Sequence, residues 1–138
     1  MALDAQTRDM LKGAIGMTDA DLDRLGPNIQ AILAHFEDFT KYKFVAECTE
    51  SQYCFAGIKQ GQKYVFNTAP PIILPETDCP TCLRALAPIT SIVNTMMERI
   101  ASGMDPTPVV FQVAECLDPG VDRGGLGHVV FKVYAQKA

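Results

Sequence analysis

Apolar residues recur every three or four positions in two long stretches of the chain and every second position in several short ones. In the first stretch, Leu22, Leu25, Ile29, Ile32, Phe36 and Phe39 line one face of a helix. Thr18 or Asp19 can cap its start, and Gly26-Pro27 marks a joint between a short helix and a longer one beginning near Pro27. A weaker helical segment covers about Asp4 to Ala14 and ends near Gly16. The second stretch carries Leu83, Leu86, Thr90, Val93, Met97 and Ile100, widened by Ile89, Ile92 and Met96. It predicts a mostly enclosed helix from about Pro80 to Ala101, bent at Pro88 and stopped by Gly103.

Strand patterns fall at Tyr42 to Cys48, Lys63 to Phe66, Val109 to Ala114 and Val129 to Ala135. Pro70-Pro71 and Pro75 give an extended linker in which Ile72 to Leu74 form an edge strand. The expected fold class is α+β: a helical N-terminal arm, residues 1–41, then a domain over residues 42–138. In that domain an antiparallel sheet packs on one long central helix, in ββαββ order. The arm's apolar stripe exceeds what a small sheet face covers, so the expectation for it is a homodimer contact, or docking on a protein partner.

At 138 residues, 48% hydrophobic and 20% charged, the chain suits one globular domain that needs no metal or disulfide to hold a core. A formal net charge of −4, with no Lys/Arg run interleaved by aromatics, argues against nucleic acid. No apolar run reaches the roughly 18 residues of a membrane span, so no membrane partner is expected. The first residues lack the basic-then-apolar pattern of a secretory signal, and the expected location is cytoplasmic. In that reducing setting five cysteines are metal ligands, reactive thiols or buried reduced thiols.

Cys54, Cys79, Cys82 and Cys116 sit where the hydrophobic pattern starts or stops. Cys79-Pro80-Thr81-Cys82 reads as the opening of the central helix, with both thiols beside unpaired amides whose dipole favours a thiolate. Zinc takes four thiolate or imidazole ligands at about 2.0–2.3 Å, and an iron–sulfur cluster usually takes four, so one pair is not enough. Cys54 before the Ala56-Gly57 turn and Cys116 before Leu117-Asp118-Pro119-Gly120 supply the rest, with Cys48 as a spare. The leading expectation is a cytoplasmic zinc or iron–sulfur protein with Cys54, Cys79, Cys82 and Cys116 as metal ligands. The second is a thiol redox protein, Cys79 attacking and Cys82 resolving. The third is a non-catalytic accessory subunit that binds through the arm.

Other residues read as structure. His35 lies at the edge of the arm's stripe, whereas His128 opens the last strand and can approach the Cys116 loop. Arg123-Gly124-Gly125-Leu126-Gly127 lies between strands and opens no helix, so it is a hairpin loop and not a phosphate cradle. Asp19, Asp21 and Asp23 complement a helix start, and Pro27 and Gln30 break a calcium-loop pattern. No Gly-x-Ser-x-Gly or His-Glu-x-x-His motif supports hydrolysis.

Cys79-Pro80-Thr81-Cys82 looks like the glutaredoxin motif, but only one helix fits between Cys82 and Thr107-Pro108-Val109, so that family's topology does not. From about Tyr42 onward the chain resembles instead a family of small prokaryotic proteins with three cysteine landmarks. They correspond here to Cys54-Phe55-Ala56-Gly57-Ile58-Lys59-Gln60-Gly61, Cys79-Pro80 and Cys116-Leu117-Asp118-Pro119. Phe55 and Gln62 depart from the Pro and Asp usual in that pattern. The resemblance implies that Cys54, Cys79 and Cys116 are family positions and that Cys48 and Cys82 are additions of this chain. It implies no activity.

Overall fold

The computed structural model describes residues 3–69 and 71–138; Met1, Ala2 and Pro70, the first of the Pro70-Pro71 pair, lie outside the described residues. Among the described residues the protein is a mixed α/β chain with one four-stranded antiparallel sheet.

The arm is four short helices. In α1 (Ala5–Ile15) the Asp4 carboxylate accepts the Thr7 amide at 2.7 Å, and Gly16 closes the helix at φ 71°. Thr18 caps α2 (Asp19–Asp23) in the same way, and α3 (Pro27–Ala34) starts on Pro27. The long helix expected after Pro27 stops at His35, whose φ of −102° and ψ of 19° leave helical geometry, and α4 (Phe36–Phe39) follows as a separate turn. The His35 Nδ1 lies 3.1 Å from Asp38 Oδ2 across this break, its ring engaged locally. The arm's stripe is largely used within the chain: Leu22 and Phe39 are buried and Ile32 joins the core, leaving Ile29 and Phe36 outward. The Thr68 hydroxyl donates to the Phe39 carbonyl at 2.7 Å, fixing the arm to the sheet.

At the centre of the sheet β1 (Tyr42–Gln52) pairs with β4 (His128–Lys137). Outside them, β2 (Lys63–Asn67) borders β1 and β3 (Val113–Glu115) borders β4. The period of two sends Phe44, Ala46 and Cys48 to one face, beside Tyr64 and Phe66 of β2, Val129, Phe131 and Val133 of β4, and Ala114 of β3. That face meets α5 (Leu83–Ala101) through Ala85, Ile89, Val93, Met96 and Ile100. The buried face of α5 is therefore rotated from the expected stripe: Thr90 is exposed and Leu83 is 84% exposed.

Further boundaries differ from the sequence expectation, and β1 runs four residues past Cys48 to Gln52. α5 begins at Leu83, so Cys79 and Pro80 precede it and Cys82 is its cap. The Ile72–Leu74 strand reduces to one bridge from Ile72 to Phe66 and a 3-10 turn, Leu74–Glu76, because Pro71 and Pro75 have no amide to give a ladder. The strand from Val109 shortens to β3, with Val110 and Phe111 exposed ahead of it. No helix among the described residues is long and apolar enough to cross a membrane.

Candidate thiol site

All five cysteines are free thiols and lie toward the end of the sheet where β1 finishes and β4 begins. Cys48 is buried on β1, where a register shift between Cys48 and Glu50 interrupts pairing with β4 and the thiol donates to the Glu50 carbonyl at 3.4 Å. Beyond β1, Cys54 opens a tight turn in which the Gly57 amide reaches its carbonyl at 3.1 Å. Cys79 is buried, its amide bonded to the Lys63 carbonyl of β2 at 3.3 Å. Cys82 occupies the cap of α5, and Cys116 follows β3 with its amide on the Val129 carbonyl at 2.9 Å.

Cys54, Cys82 and Cys116 are half-buried and packed against the core, and each is followed by an exposed apolar side chain: Phe55 at 92%, Leu83 at 84% and Leu117 at 63%.

Their electrostatics tie the set together. Burial is the main cause that pushes the Cys79 thiol up to about 11; the Tyr64 hydroxyl acts against it, while charge on Cys48, Asp78 and Cys54 adds to it. Burial also raises Cys48 and Cys116, and again the neighbouring thiols add: Cys54 at Cys48, and Cys82 with Cys54 at Cys116. Charge on Cys54 thus acts in the same direction at Cys48, Cys79 and Cys116. The expectation of a thiolate stabilised by the helix dipole at Cys79 is not met. Cys79 lies before the helix and inside the core, where the neutral thiol is favoured.

Two residues that the sequence reading assigned no site role position this set. Tyr64, fully buried on β2, donates its hydroxyl to the Pro80 carbonyl and so holds the Cys79–Cys82 segment against the sheet. Pro88 lies inside α5 and has no amide to give the Arg84 carbonyl four residues back. The Leu117 amide takes that carbonyl instead, at 3.2 Å, which brings the residue after Cys116 onto the first turn of the helix capped by Cys82. A proline within a helical pattern was the available signal, because it always frees one carbonyl.

Beside Cys116 lies a cleft of about 650 Å³ whose lining includes Tyr53, Asp118, Arg123 and His128. His128 therefore shares a cleft with Cys116, whereas His35 remains in the arm. The Gly-rich loop joins β3 to β4, and its amides at Gly120, Leu126 and Gly127 point at the Asp118 carboxylate, at 3.1, 2.8 and 2.8 Å. Those donors already hold an anion from within the chain, so they form no phosphate cradle.

As placed, no three His, Cys, Asp or Glu side chains among the described residues form a set that could hold a metal ion. Compared with known proteins, the chain matches no family model, no curated protein and no solved structure.

Proposed function

We propose that this is a cytoplasmic protein that binds zinc or an iron–sulfur cluster through Cys54, Cys79, Cys82 and Cys116. One observation carries the reading: cysteines from three separated segments, Cys54, Cys79 with Cys82, and Cys116, pack on the core toward the end of the sheet where β1 finishes and β4 begins. Burial and mutual repulsion hold Cys79 and Cys116 in the neutral form, and a thiophilic cation is the partner that relieves both effects at once. Cys54, Cys82 and Cys116 sit on a turn, a helix cap and a strand end. The reading requires these side chains to turn toward a common ion on binding. The test is elemental analysis and absorption spectroscopy of protein purified without air. Stoichiometric zinc or iron, lost in the Cys79→Ser/Cys82→Ser chain, supports the reading; metal-free native protein with five titratable thiols overturns it.

A second reading, a thiol redox protein, is favoured by Cys82 standing half-exposed at the cap of a 19-residue helix, three residues after buried Cys79. Geometry then exchanges the roles, with Cys82 accessible to attack and Cys79 resolving. Oxidation by a small disulfide should yield a Cys79–Cys82 bridge. Mixed disulfides that persist on Cys82 would exclude it.

A further inference from the structure

The loop between β3 and β4 is wound around one carboxylate, and the same loop rests on the residue before Cys54. Asp118 stands two positions after Cys116 and accepts the amides of Gly120 and Leu126 on Oδ1 and of Gly127 on Oδ2. Gly125 is closed in around it, since a Cβ there would run into Asp118 Oδ1 and the Pro119 ring. Gly127 closes the circuit on its other side, where a Cβ would come within 2.5 Å of the Tyr53 carbonyl oxygen. Tyr53 is itself left-handed at φ 54°, a conformation that a bulky side chain adopts only when its surroundings impose it.

A continuous path of contacts thus runs from Cys116 through Asp118 and Gly127 to Tyr53 and Cys54. From this path we infer that Asp118 is a positioning residue that sets the separation of the Cys54 and Cys116 thiols. This inference deepens the proposed function and rests on the same thiol site. Both oxygens are needed, because the three donors arrive from different parts of the loop and a neutral amide could accept on one side only.

The experiment is chemical bridging of the full chain by a short bis-maleimide, with chelator present and the products mapped by mass spectrometry. In Asp118→Asn and Asp118→Ala the Cys54–Cys116 bridge should fall about tenfold, the loss expected for a charge-assisted hydrogen bond. Gly127→Ala should do the same with Asp118 intact, by lifting the loop off Tyr53. Buried Cys79 must stay protected in all of them, which general loosening of the fold would not allow. Should Asp118→Ala fail to fold, the other two chains carry the test. An unchanged bridge in Asp118→Asn and Gly127→Ala overturns the inference, as does a loss that always comes with exposure of Cys79. Because chelator removes metal from the measurement, a native protein that proves metal-free but bridges in an Asp118-dependent way sinks only the proposed function. Metal binding with Asp118-independent bridging sinks only this inference.

Discussion

The side-chain caps of the helical arm and the bonds that fix the thiol end of the sheet differ in range. In the arm each cap is local: Asp4 serves Thr7 and Thr18 serves Asp21, three residues apart in both cases. At the thiol end the fixing bonds join remote segments, Cys79 to Lys63, Leu117 to Arg84, Tyr64 to Pro80 and Cys116 to Val129. Local bonds form whenever their helix forms and specify little beyond it. Remote bonds form only when the whole sheet is registered, so the cysteine segments reach the same end of the sheet only in the native state.

The largest effect should come from breaking that registry. Phe131 is fully buried, paired with Cys48 on one side and Ala114 on the other, and its ring centre lies 5.7 Å from that of Tyr64. Phe131→Ala should cost about 3–5 kcal/mol in urea denaturation, through lost burial and the cavity left behind. It should also open Cys48 and Cys79 to alkylation. Phe36→Ala on the outward side of the arm should change stability by about 0.5 kcal/mol or less. Equal losses from the two would erase the distinction between the regions.

Next in size is a pH effect confined to the thiol end. Burial raises the folded-state value of Cys79 from 9.0 to about 11, and Cys48 and Cys116 move in the same direction. A thiol with a raised folded value gives its full stabilisation below its unfolded value and loses it as pH rises toward the folded one. Stability should therefore fall by at most about 2 kcal/mol between pH 9 and pH 11 on account of Cys79. Denaturation midpoints across that range in native protein and Cys79→Ala check this. An equal slope in both would show that Cys79 is not the buried acid.

Much of the fold was legible because its signals are periodic or local. The alternation in β1, β2 and β4, the left-handed stop at Gly16 and the proline start of α3 all depend on neighbouring residues. What failed depends on distant partners. The inward face of α5 is set by how the sheet turns the helix, so Leu83 in the expected stripe faces water while Ala85 carries the contact. The cysteines were legible as candidates from their positions at element ends, but their environment was not. Cys79 was expected beside a helix dipole and lies instead in the core, because β2 captures its amide and Tyr64 anchors the next carbonyl before the helix begins.

Pro88 shows the same division at smaller scale. Read locally it bends a helix, whereas in the fold it leaves the Arg84 carbonyl open to Leu117. Pro88→Ala supplies a competing amide within α5, so the helix gains a bond and the Cys116 segment loses one. The two effects oppose each other, and global stability should shift by about 1 kcal/mol or less. Alkylation of Cys116 should nevertheless rise about tenfold if that bond holds the segment in place. Unchanged Cys116 reactivity would mean that other contacts fix it and that the proline has no part in the site.

The smallest effect belongs to the most heavily charged part of the arm. Arg8 bridges α1 to α2 through Asp19 at 3.0 Å and Asp23 at 2.9 Å, and Lys12 also reaches Asp19, at 2.7 Å. Both aspartates are largely exposed, so water and salt screen pairs that would be strong in a core. Lys12 first and then Arg8 hold the Asp19 carboxyl below its ordinary value, which places its contribution above the unfolded carboxylate value and removes it as pH falls through the folded one. Arg8→Ala should therefore leave the melting temperature nearly unchanged at physiological ionic strength, lower it slightly at low salt, and leave every thiol's reactivity as it was. A drop comparable to that of Phe131→Ala, or a change at Cys54 or Cys116, would mean that the arm's surface charges reach the sheet. The two regions would then fold and function as one cooperative unit despite the different range of their bonds.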